Sequence, residues 1–184
     1  MIIINLKKVP VSSNLAEYEE IKSLFYRAFP KIEQLPMWLL RALTIRKTID
    51  FLAYYDDNSL CGISYTVNSD DLVFVFYLAV NDKIRSKGYG SAILQCIKDS
   101  FLNKVIALNI EPLDIDSDNY NQRVRRYQFY LKNGFIDTKY QMKDSHGCYQ
   151  ILATTDTFSV DDYKKVFKQL SLGFYSPQVN KQMI

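Results

Sequence analysis

The sequence predicts an α/β protein built on one mixed β-sheet, in which an antiparallel meander and a parallel central pair are flanked by helices. Three apolar runs separated by short polar turns predict the meander, namely residues 51–55, 60–67 and 72–80. The third run is followed by an amphipathic helical pattern and then by a further apolar run at 105–110. A strand, a helix and a second strand in this order are typical of a parallel pair.

Composition restricts the classes of protein to consider. At 184 residues the chain is long enough for one domain with a sizeable core. The net charge of +3, with no basic run, disfavours a nucleic-acid surface. Cys61, Cys96 and Cys148 are widely spaced, which predicts reduced thiols in a cytoplasmic protein. The sequence shows no signal peptide, and no apolar stretch reaches the ~20 residues that span a bilayer, so no membrane partner is expected.

One strand and two helices are predicted ahead of the meander. Ile2–Leu6 has the apolar character of a first strand. Asn14 and Glu17 have the spacing of a capping box, which predicts the start of an amphipathic helix. A second, short helix carrying Trp38 is expected to start near Pro36, because proline suits the first helical turn.

A helix, a hairpin and a last helix are predicted after the parallel pair. The helix runs from Tyr120 to Lys132 and ends at Gly134, a left-handed cap signal. Residues 135–143 and 148–153 form the hairpin. Ser159 and Asp162 then form a second capping box, and the tail beyond Pro177 is expected to be loosely held. The supporting residues for the last helix are Tyr163, Val166, Phe167 and Leu170.

The segment between the run 72–80 and its following helix has the composition of a phosphate-binding turn. It reads Arg85-Ser86-Lys87-Gly88-Tyr89-Gly90. A helix N-terminus presents N–H groups without intrahelical partners and a partial positive charge, so it stabilises an anion. Glycines allow a sharp turn and a close backbone approach, and the two basic residues add full charges. A dinucleotide fingerprint would need glycine at position 93 and a P-loop would need Gly-Lys before Ser or Thr, and neither occurs.

Two motifs in this sequence resemble those of the GCN5-related N-acetyltransferases, the GNAT family. Arg85–Gly90 is similar to that family's R-x-x-G-x-G turn, and Leu78–Val80 to the L-x-V end of the strand before it. Phe129–Phe135, which reads FYLKNGF, resembles the family's F-Y-x-x-x-G-F at the end of its last core helix. The order of elements is similar as well. The resemblance predicts a GNAT acetyltransferase domain over residues 1–155, with residues 156–184 as a C-terminal helix and tail appended to the same domain.

The resemblance implies acetyl-CoA as co-substrate and no metal. Backbone amides around Lys87–Ser91 would bind the pyrophosphate, backbone groups of Leu78 and Val80 would pair with the pantetheine arm, and a backbone N–H near Val80 could hold the thioester oxygen. The alternative for Arg85 and Lys87 is that they only solvate an exposed turn. The predicted cofactor-binding residues are Leu78, Ala79, Val80, Arg85, Ser86, Lys87, Gly88, Tyr89, Gly90 and Ser91.

Two residues are predicted to be catalytic. Tyr130 stands where the family places a tyrosine that protonates the departing thiolate, although its spacing also suits packing of the helix on the sheet. Glu111 ends the second buried strand, where a carboxylate could remove the amine proton through a water; a solvated strand end is the alternative. His146, the one histidine, lies in the hairpin turn and is expected to be merely exposed.

The chain departs from the family pattern at two places on the predicted helix 120–132. Family members often carry asparagine seven residues before the tyrosine and alanine three residues after that asparagine, and Arg123 and Arg126 stand there in this chain. The nearby Asn119 and Asn121 could supply the contact to pantetheine instead. The acidic loop 114–119 lacks the glycine and the final glutamate of a calcium loop, so no metal is predicted. It could attract a cationic amine or be plain solvated surface.

The sequence therefore predicts a transferase, an acyl-CoA N-acetyltransferase that acts on a primary amine by direct attack through a tetrahedral intermediate. A small-molecule amine is the first expectation for the acceptor, and a protein N-terminus or lysine is the second. A binding module that retains coenzyme A without turnover is the alternative from another class. The expected partners are acetyl-CoA and the amine, without nucleic acid or membrane, and a homodimer is possible.

Overall fold

The computed structural model describes residues 4–84, 87–145 and 147–182. The described chain contains eight strands and five α-helices, together with short 3₁₀ turns at Lys31–Glu33 and Asp82–Ile84. In chain order the elements are β1 (Lys7–Pro10), α1 (Tyr18–Ala28), α2 (Met37–Leu43), β2 (Ile49–Asp56), β3 (Ser59–Asn68), β4 (Leu72–Val80), α3 (Tyr89–Ser100), β5 (Val105–Ile110), α4 (Tyr120–Lys132), β6 (Ile136–Asp144), β7 (Gly147–Ala153), α5 (Val160–Leu170) and β8 (Gln178–Lys181).

The strands form one mixed sheet in the order β1-β2-β3-β4-β5-β7-β6-β8. β2 and β3 pair antiparallel, as do β5 with β7 and β7 with β6. β4 and β5 are neighbours, and the backbone N–H of Val105 donates to the carbonyl of Asp71 over 2.9 Å, so both strands start at the same edge of the sheet. The predicted fold class, an antiparallel meander with a parallel pair flanked by helices, is confirmed.

By compactness the chain divides into two units, and the first comprises the chain up to Val67 together with Val75–Leu102. Aromatic rings fill its core, with the rings of Phe25 and Tyr77 5.0 Å apart and those of Phe51 and Tyr65 5.5 Å apart. The hydroxyl of Tyr77 donates to the carbonyl of Glu33 and accepts from a backbone N–H at 3.2 Å. Tyr77 therefore fixes the segment between α1 and α2 to the sheet.

Gly62 of β3 is the point where the packing of the first unit is closest. A Cβ atom built on Gly62 would lie 2.4 Å from the carbonyl oxygen of Ala79 and 2.7 Å from Cδ1 of Ile93. Both distances are far below ordinary van der Waals contact, so β3 has no room for a side chain here. This glycine allows α3, through Ile93, to pack directly against the backbone of β3 and β4.

The second unit comprises Asn68–Phe74 and the chain from Asn103 onwards. The rings of Phe74 and Tyr163 lie 5.4 Å apart in edge-to-face contact, and those of Phe74 and Phe167 lie 4.9 Å apart. The buried hydroxyl of Tyr163 donates to Oδ1 of Asn109 over 2.9 Å. Helix α5 is thus packed on β4 and β5 by its apolar face.

No helix in the described part of the chain is long and apolar enough to cross a bilayer.

Two expectations about the ends of the chain are wrong. The first strand is Lys7–Pro10, paired antiparallel with β2, whereas residues 4–6 have no regular structure and Ile2 and Ile3 lie outside the described residues. Pro10 is tolerated there because β1 is an outer strand of the sheet, and the side of an outer strand that faces solvent needs no backbone N–H donor. The tail beyond Pro177 is not loose, since Gln178–Lys181 pairs with β6 as an eighth strand. Both strands are short and polar, so their sequences show little hydrophobic pattern. They become strands because each pairs with a neighbouring strand of the sheet.

The start of α1 also differs from the expectation. The helix begins at Tyr18, and its N-cap residue Glu17 makes no side-chain capping bond, so the capping box with Asn14 does not form. Backbone turns precede the helix, in which the N–H of Leu15 donates to Ser12 at 3.3 Å and that of Tyr18 to Leu15 at 3.1 Å. The chain thus enters α1 through backbone turns and without a side-chain cap.

Helix α2 starts after Pro36 as predicted, and one of its faces is buried. Met37 and Leu40 are its buried residues, whereas Trp38 is 66% exposed. A helix of seven residues has room for one buried stripe only, so the choice of stripe depends on what it packs against.

Candidate active site

The glycine turn ends in a backbone conformation that favours glycine. Gly88 has φ +82° and ψ 6°, in the left-handed region, and it is the N-cap residue of α3. Its carbonyl accepts the first helical bond, from the N–H of Ala92 at 3.1 Å. Because a glycine has no side chain, the N-cap residue itself makes no side-chain bond to the N–H groups at this terminus. Arg85 and Ser86 lie outside the described residues, and Lys87 is exposed.

The charges around the start of α3 suit an anion. The first turn of α3 contains no acidic residue, whereas the first turns of α1 and α5 carry acidic pairs, Glu19 with Glu20 and Asp161 with Asp162. In α1 and α5 these carboxylates face the positive end of the helix dipole. The start of α3 thus keeps its partial positive charge available for an external negative group.

Asn81 fixes the chain where β4 passes into the turn, and sequence reasoning missed this role. The residue is 4% exposed, and its backbone N–H donates to the carbonyl of Cys61 over 2.8 Å. Its side-chain amide donates to the carbonyl of Leu60 over 2.8 Å, and its amide oxygen accepts from the N–H of Lys83 at 3.2 Å. An asparagine directly after an apolar run was the one available signal. The next residue, Asp82, forms an ion pair with Arg27 of α1 at 2.9 Å.

Tyr89, the residue between the two glycines, anchors the first turn of α3. Its side chain is buried, and its hydroxyl donates to Oδ2 of Asp56 over 2.6 Å. This hydrogen bond, together with burial, raises the pKa of Tyr89. Asp56 ends β2, so the bond ties the helix start to the β2–β3 turn. The side chain of Tyr89 is therefore engaged within the protein and holds the first turn of α3 in place.

The end of β4 is less covered than the sequence predicts. Leu72–Val75 is buried throughout, as expected for a strand covered on both faces, but Leu78 and Val80 are half-buried and alternate with buried Ala79. The strand is thus covered on one face only as it approaches the turn. The side chains of Leu78 and Val80 are thus partly accessible where the pantetheine prediction places the cofactor.

Tyr130 is the buried residue of α4. It is 9% exposed, and its ring lies 5.2 Å from that of Phe129 and 5.6 Å from that of Phe135. Burial raises the pKa of Tyr130 to about 12, while the positive charge of Arg126 acts in the opposite direction. Its hydroxyl forms no hydrogen bond with any residue that the structure describes, so among these residues only the ring of Tyr130, and not its oxygen, contributes to packing.

Glu111 lies directly after β5 and binds both arginines that depart from the family pattern. One carboxylate oxygen is 3.3 Å from Arg123 and accepts from the amide of Asn119 at 3.2 Å. The other oxygen is 3.0 Å from Arg126. A carboxylate offers about four lone-pair positions, so this arrangement leaves space for a further hydrogen bond, such as one to a water. No sequence pattern indicated that the two departures share one partner.

Arg123 also ties down the loop between β5 and α4. Its Nε donates to Oδ1 of Asn119 over 2.6 Å, and a terminal nitrogen donates to the carbonyl of Pro112 over 3.0 Å. With its bond to Glu111, the guanidinium contacts the beginning and the end of the loop. Asn119, a candidate for the contact to pantetheine, has both ends of its amide engaged in this network. Arg123, at the position where the family pattern has asparagine, thus holds this loop through bonds to residues of the loop itself.

The acidic loop itself is solvated. Asp114, Asp116 and Asp118 are exposed, and Oδ1 of Asp114 accepts the backbone N–H of Asp116 at 3.1 Å. This bond forms a local turn of the kind that aspartate commonly makes. Across the described ranges no group of acidic, cysteine and histidine side chains could hold a metal. His146 lies outside the described residues.

The predicted residues fall into two sets. Leu78–Val80 and the turn residues Lys87–Ser91 belong to the first compact unit, and Glu111 and Tyr130 belong to the second. Within the second unit the structure joins Glu111 to Arg126, which lies one helical turn before Tyr130.

Known proteins with similar sequence or structure are acetyltransferases. The chain matches no protein-family model. A Bacillus subtilis (strain 168) protein, YjbC, whose name places it among the acetyltransferases, is 33% identical over 75 residues. That match covers 41% of this chain, and it spans only 38% of the relative's length.

Solved structures are similar over nearly the whole chain. A GNAT-family structure from Bacteroides thetaiotaomicron has a TM-score of 0.71 at 22% identity, covering 92% of this chain and 99% of its own. A GNAT-family acetyltransferase from Elizabethkingia anophelis with acetyl-CoA bound has a TM-score of 0.56 at 13% identity, covering 81% and 97%. The chain therefore has the fold of the GNAT acetyltransferases, and the resemblance expected from the two motifs is confirmed at the level of fold.

The role of Arg123 can be tested by stability. Replacing it in Arg123→Gln removes the charge and most of the bonds that close the loop, so we expect the free energy of unfolding to fall by about 1–3 kcal/mol. Arg125→Gln is the matched control, because Arg125 is exposed on the same helix and should change stability by less than about 0.5 kcal/mol. Urea unfolding of both variants measures the difference, and equal effects would contradict a structural role for Arg123.

Proposed function

We propose that this protein is an acyl-CoA N-acetyltransferase that transfers the acetyl group of acetyl-CoA to a primary amine. The observation that carries the proposal is the start of α3. There a left-handed Gly88 begins a helix that has no side-chain cap from its N-cap residue and no acid in its first turn, and this helix is the one that follows the half-buried end of β4. This arrangement suits a pyrophosphate, and it occurs on a fold shared with acetyltransferases.

The cofactor is proposed to bind along β4 and at the start of α3. The backbone N–H groups of residues 87–91 would receive the pyrophosphate, with positive charge from Lys87 and Arg85. Backbone groups of Leu78 and Val80 would pair with the pantetheine arm. The half-buried state of both residues supports this assignment, because a ligand must be able to reach this end of the strand.

The proposed reaction is a direct transfer. The amine nitrogen forms a bond to the carbonyl carbon of the thioester, and a tetrahedral oxyanion develops that a backbone N–H near Val80 would stabilise. The carbon–sulfur bond then breaks, and the sulfur leaves with the electron pair. Tyr130 is proposed to give its proton to this thiolate, and Glu111 is proposed to take the amine proton through a water.

The environment of Tyr130 keeps its phenol protonated until the sulfur leaves. A phenol whose pKa is raised to about 12 stays protonated at neutral pH, so its proton is present when the sulfur leaves. Its hydroxyl has no partner among the described residues, so no existing bond within them must break. Glu111 has a lone-pair position for a water despite its two ion pairs.

The acceptor is proposed to be a small-molecule amine, and a protein N-terminus or lysine side chain is the alternative acceptor. The exposed carboxylates of Asp114, Asp116 and Asp118 favour a cationic amine, which a primary amine is at neutral pH. A module that binds coenzyme A without turnover is the alternative outside the enzymes.

Product analysis tests this function. The protein is incubated with acetyl-CoA and a panel of small amines, peptides with free N-termini and lysine peptides, and acetylated products are identified by mass. Release of the coenzyme A thiol is measured in parallel. An acetylated small amine supports the proposal and an acetylated peptide supports the alternative acceptor. Binding of acetyl-CoA without any acetylated product would overturn the enzyme in favour of the module.

Gly88 provides a test of the pyrophosphate site in which only charge differs. Asparagine and aspartate have the same shape and both tolerate the left-handed region better than most residues, so Gly88→Asn and Gly88→Asp share the same strain. Among the residues that the structure describes, a Cβ atom at this position would meet ordinary contact only, 3.6 Å from Cδ1 of Ile4. We expect Gly88→Asp to bind acetyl-CoA at least about tenfold more weakly than Gly88→Asn, because its carboxylate repels the pyrophosphate.

Calorimetry at low and high salt measures this difference, which should shrink as ionic strength rises. Equal affinities for the two variants would rule out an anion at this turn.

Tyr130→Phe tests the proton donor. The change removes one oxygen that has no partner in the described chain, so melting temperature and affinity for acetyl-CoA should stay nearly constant. If the phenol protonates the thiolate, kcat should fall by about two to four decades, the usual effect of a positioned acid. Tyr127→Phe, on the same helix, is the control and should keep full activity. Full activity in Tyr130→Phe would remove Tyr130 from the reaction while leaving the enzyme.

A further inference from the structure

We propose that Arg126 is a positioning residue for Tyr130: held by Glu111, its guanidinium stabilises the negative charge left on the phenol oxygen when the proton moves to the thiolate. The inference rests on the proposed function, and it assigns a role to a residue that departs from the family pattern. Three observations within the second unit carry it.

The first observation is the spacing on α4. Arg126 and Tyr130 are four residues apart, and residues at this spacing are neighbours on one face of a helix. Side chains on a helix point toward its N-terminus, so the ring of Tyr130 leans over the turn that carries Arg126. Tyr130 is buried and Arg126 is half-buried, which keeps solvent from screening their interaction fully.

The second observation is that Arg126 is held in place from the opposite side. Glu111 binds it at 3.0 Å with one oxygen, while its other oxygen is bound to Arg123 and Asn119. Arg123 is itself bonded to Pro112 and Asn119. Glu111 is therefore anchored on both sides, and an arginine side chain that would otherwise move freely in solvent has one preferred orientation.

The third observation concerns the cluster's charge and the hydroxyl's surroundings. Two guanidinium groups share one carboxylate, so the cluster of Glu111, Arg123 and Arg126 keeps one net positive charge. The rings that contact Tyr130 are those of Phe129 and Phe135, which are uncharged. Arg126 is the one charged group of the described chain that acts on the titration of Tyr130, and it favours the phenolate.

The chemistry requires such a group. The thiol of coenzyme A is more acidic than a buried phenol, since an ordinary thiol has a pKa of about 8.5, so moving the proton from Tyr130 to the thiolate is uphill. The proton leaves oxygen and joins sulfur, and the electron pair of the O–H bond stays on the phenol oxygen. A positive charge that acts on that oxygen, as the charge of Arg126 does, lowers the cost of the step. The phenolate then takes a proton from solvent, and the proton that Glu111 took from the amine passes to solvent, so the protons balance over the cycle.

A direct titration tests the coupling without any activity. 3,5-Difluorotyrosine is placed at position 130, where its greater acidity brings the titration into a range in which the protein stays folded, and ¹⁹F NMR follows its ionisation. Arg126→Gln should raise the midpoint by about one pH unit, a tenfold change. Arg125→Gln removes the same charge from an exposed position and should leave the midpoint unchanged. No shift in Arg126→Gln, or an equal shift in both variants, would overturn the proposal.

Kinetics with natural side chains give an independent reading once an acceptor is in hand. Arg126→Gln should lower kcat about tenfold and leave the affinity for acetyl-CoA unchanged. In a Tyr130→Phe background the same substitution should change kcat by less than about twofold, because the charge has no phenolate to stabilise. Equal effects of Arg126→Gln in both backgrounds would overturn the coupling. If no amine is acetylated, the proposed function fails while the titration still decides whether Arg126 acts on Tyr130.

Discussion

The position of helix α3 is the constraint on which the glycine turn depends. Gly62 leaves no atom between β3 and the helix, since a Cβ atom there would lie 2.7 Å from Ile93. Asn81 fixes the chain just before the turn through bonds to Leu60 and Cys61, and Tyr89 ties the first helical residue to Asp56. Close packing tolerates few alternatives, so these contacts hold the backbone N–H groups at the start of α3 in one place. A site made of backbone needs such support, because its donors cannot adjust as side chains do.

A second local network organises the loop between β5 and α4. Its centre is the carboxylate of Glu111, which is partly exposed and bound by Arg123 and Arg126. A carboxylate with charge-assisted bonds on both oxygens has little rotational freedom. The two arginines differ in what else they contact, because Arg123 binds the loop backbone and Arg126 lies one turn before Tyr130. One acid thus joins a structural contact to the surroundings of a proposed proton donor.

Several local features could be predicted because the responsible residues act on their immediate neighbours. Gly134 ends α4 with φ +77°, as a glycine after a helix commonly does. Ser159 caps α5 by accepting from the N–H of Asp162 at 3.2 Å, as the capping box predicted. Asn14 and Glu17 have an equivalent pattern, but the chain before α1 forms turns instead. The same capping-box pattern thus forms in one place and not in the other, because the conformation of the preceding segment decides whether it can form. The spacing of residues in the sequence does not show that conformation.

The sequence by itself determined the strands of the meander, the parallel pair and the glycine turn, because runs of apolar residues and the positions of glycines can be recognised within a short stretch of chain. Tertiary structure decided the rest. Met37 is buried and Trp38 is exposed because only one face of α2 packs against the rest of the protein. Gln178–Lys181 becomes a strand only because it can pair with the edge of β6. The pairing of Arg123 and Arg126 with Glu111 joins residues 12 and 15 positions apart across a loop. Contacts of this kind depend on the path of the backbone in space, which a one-dimensional pattern does not contain.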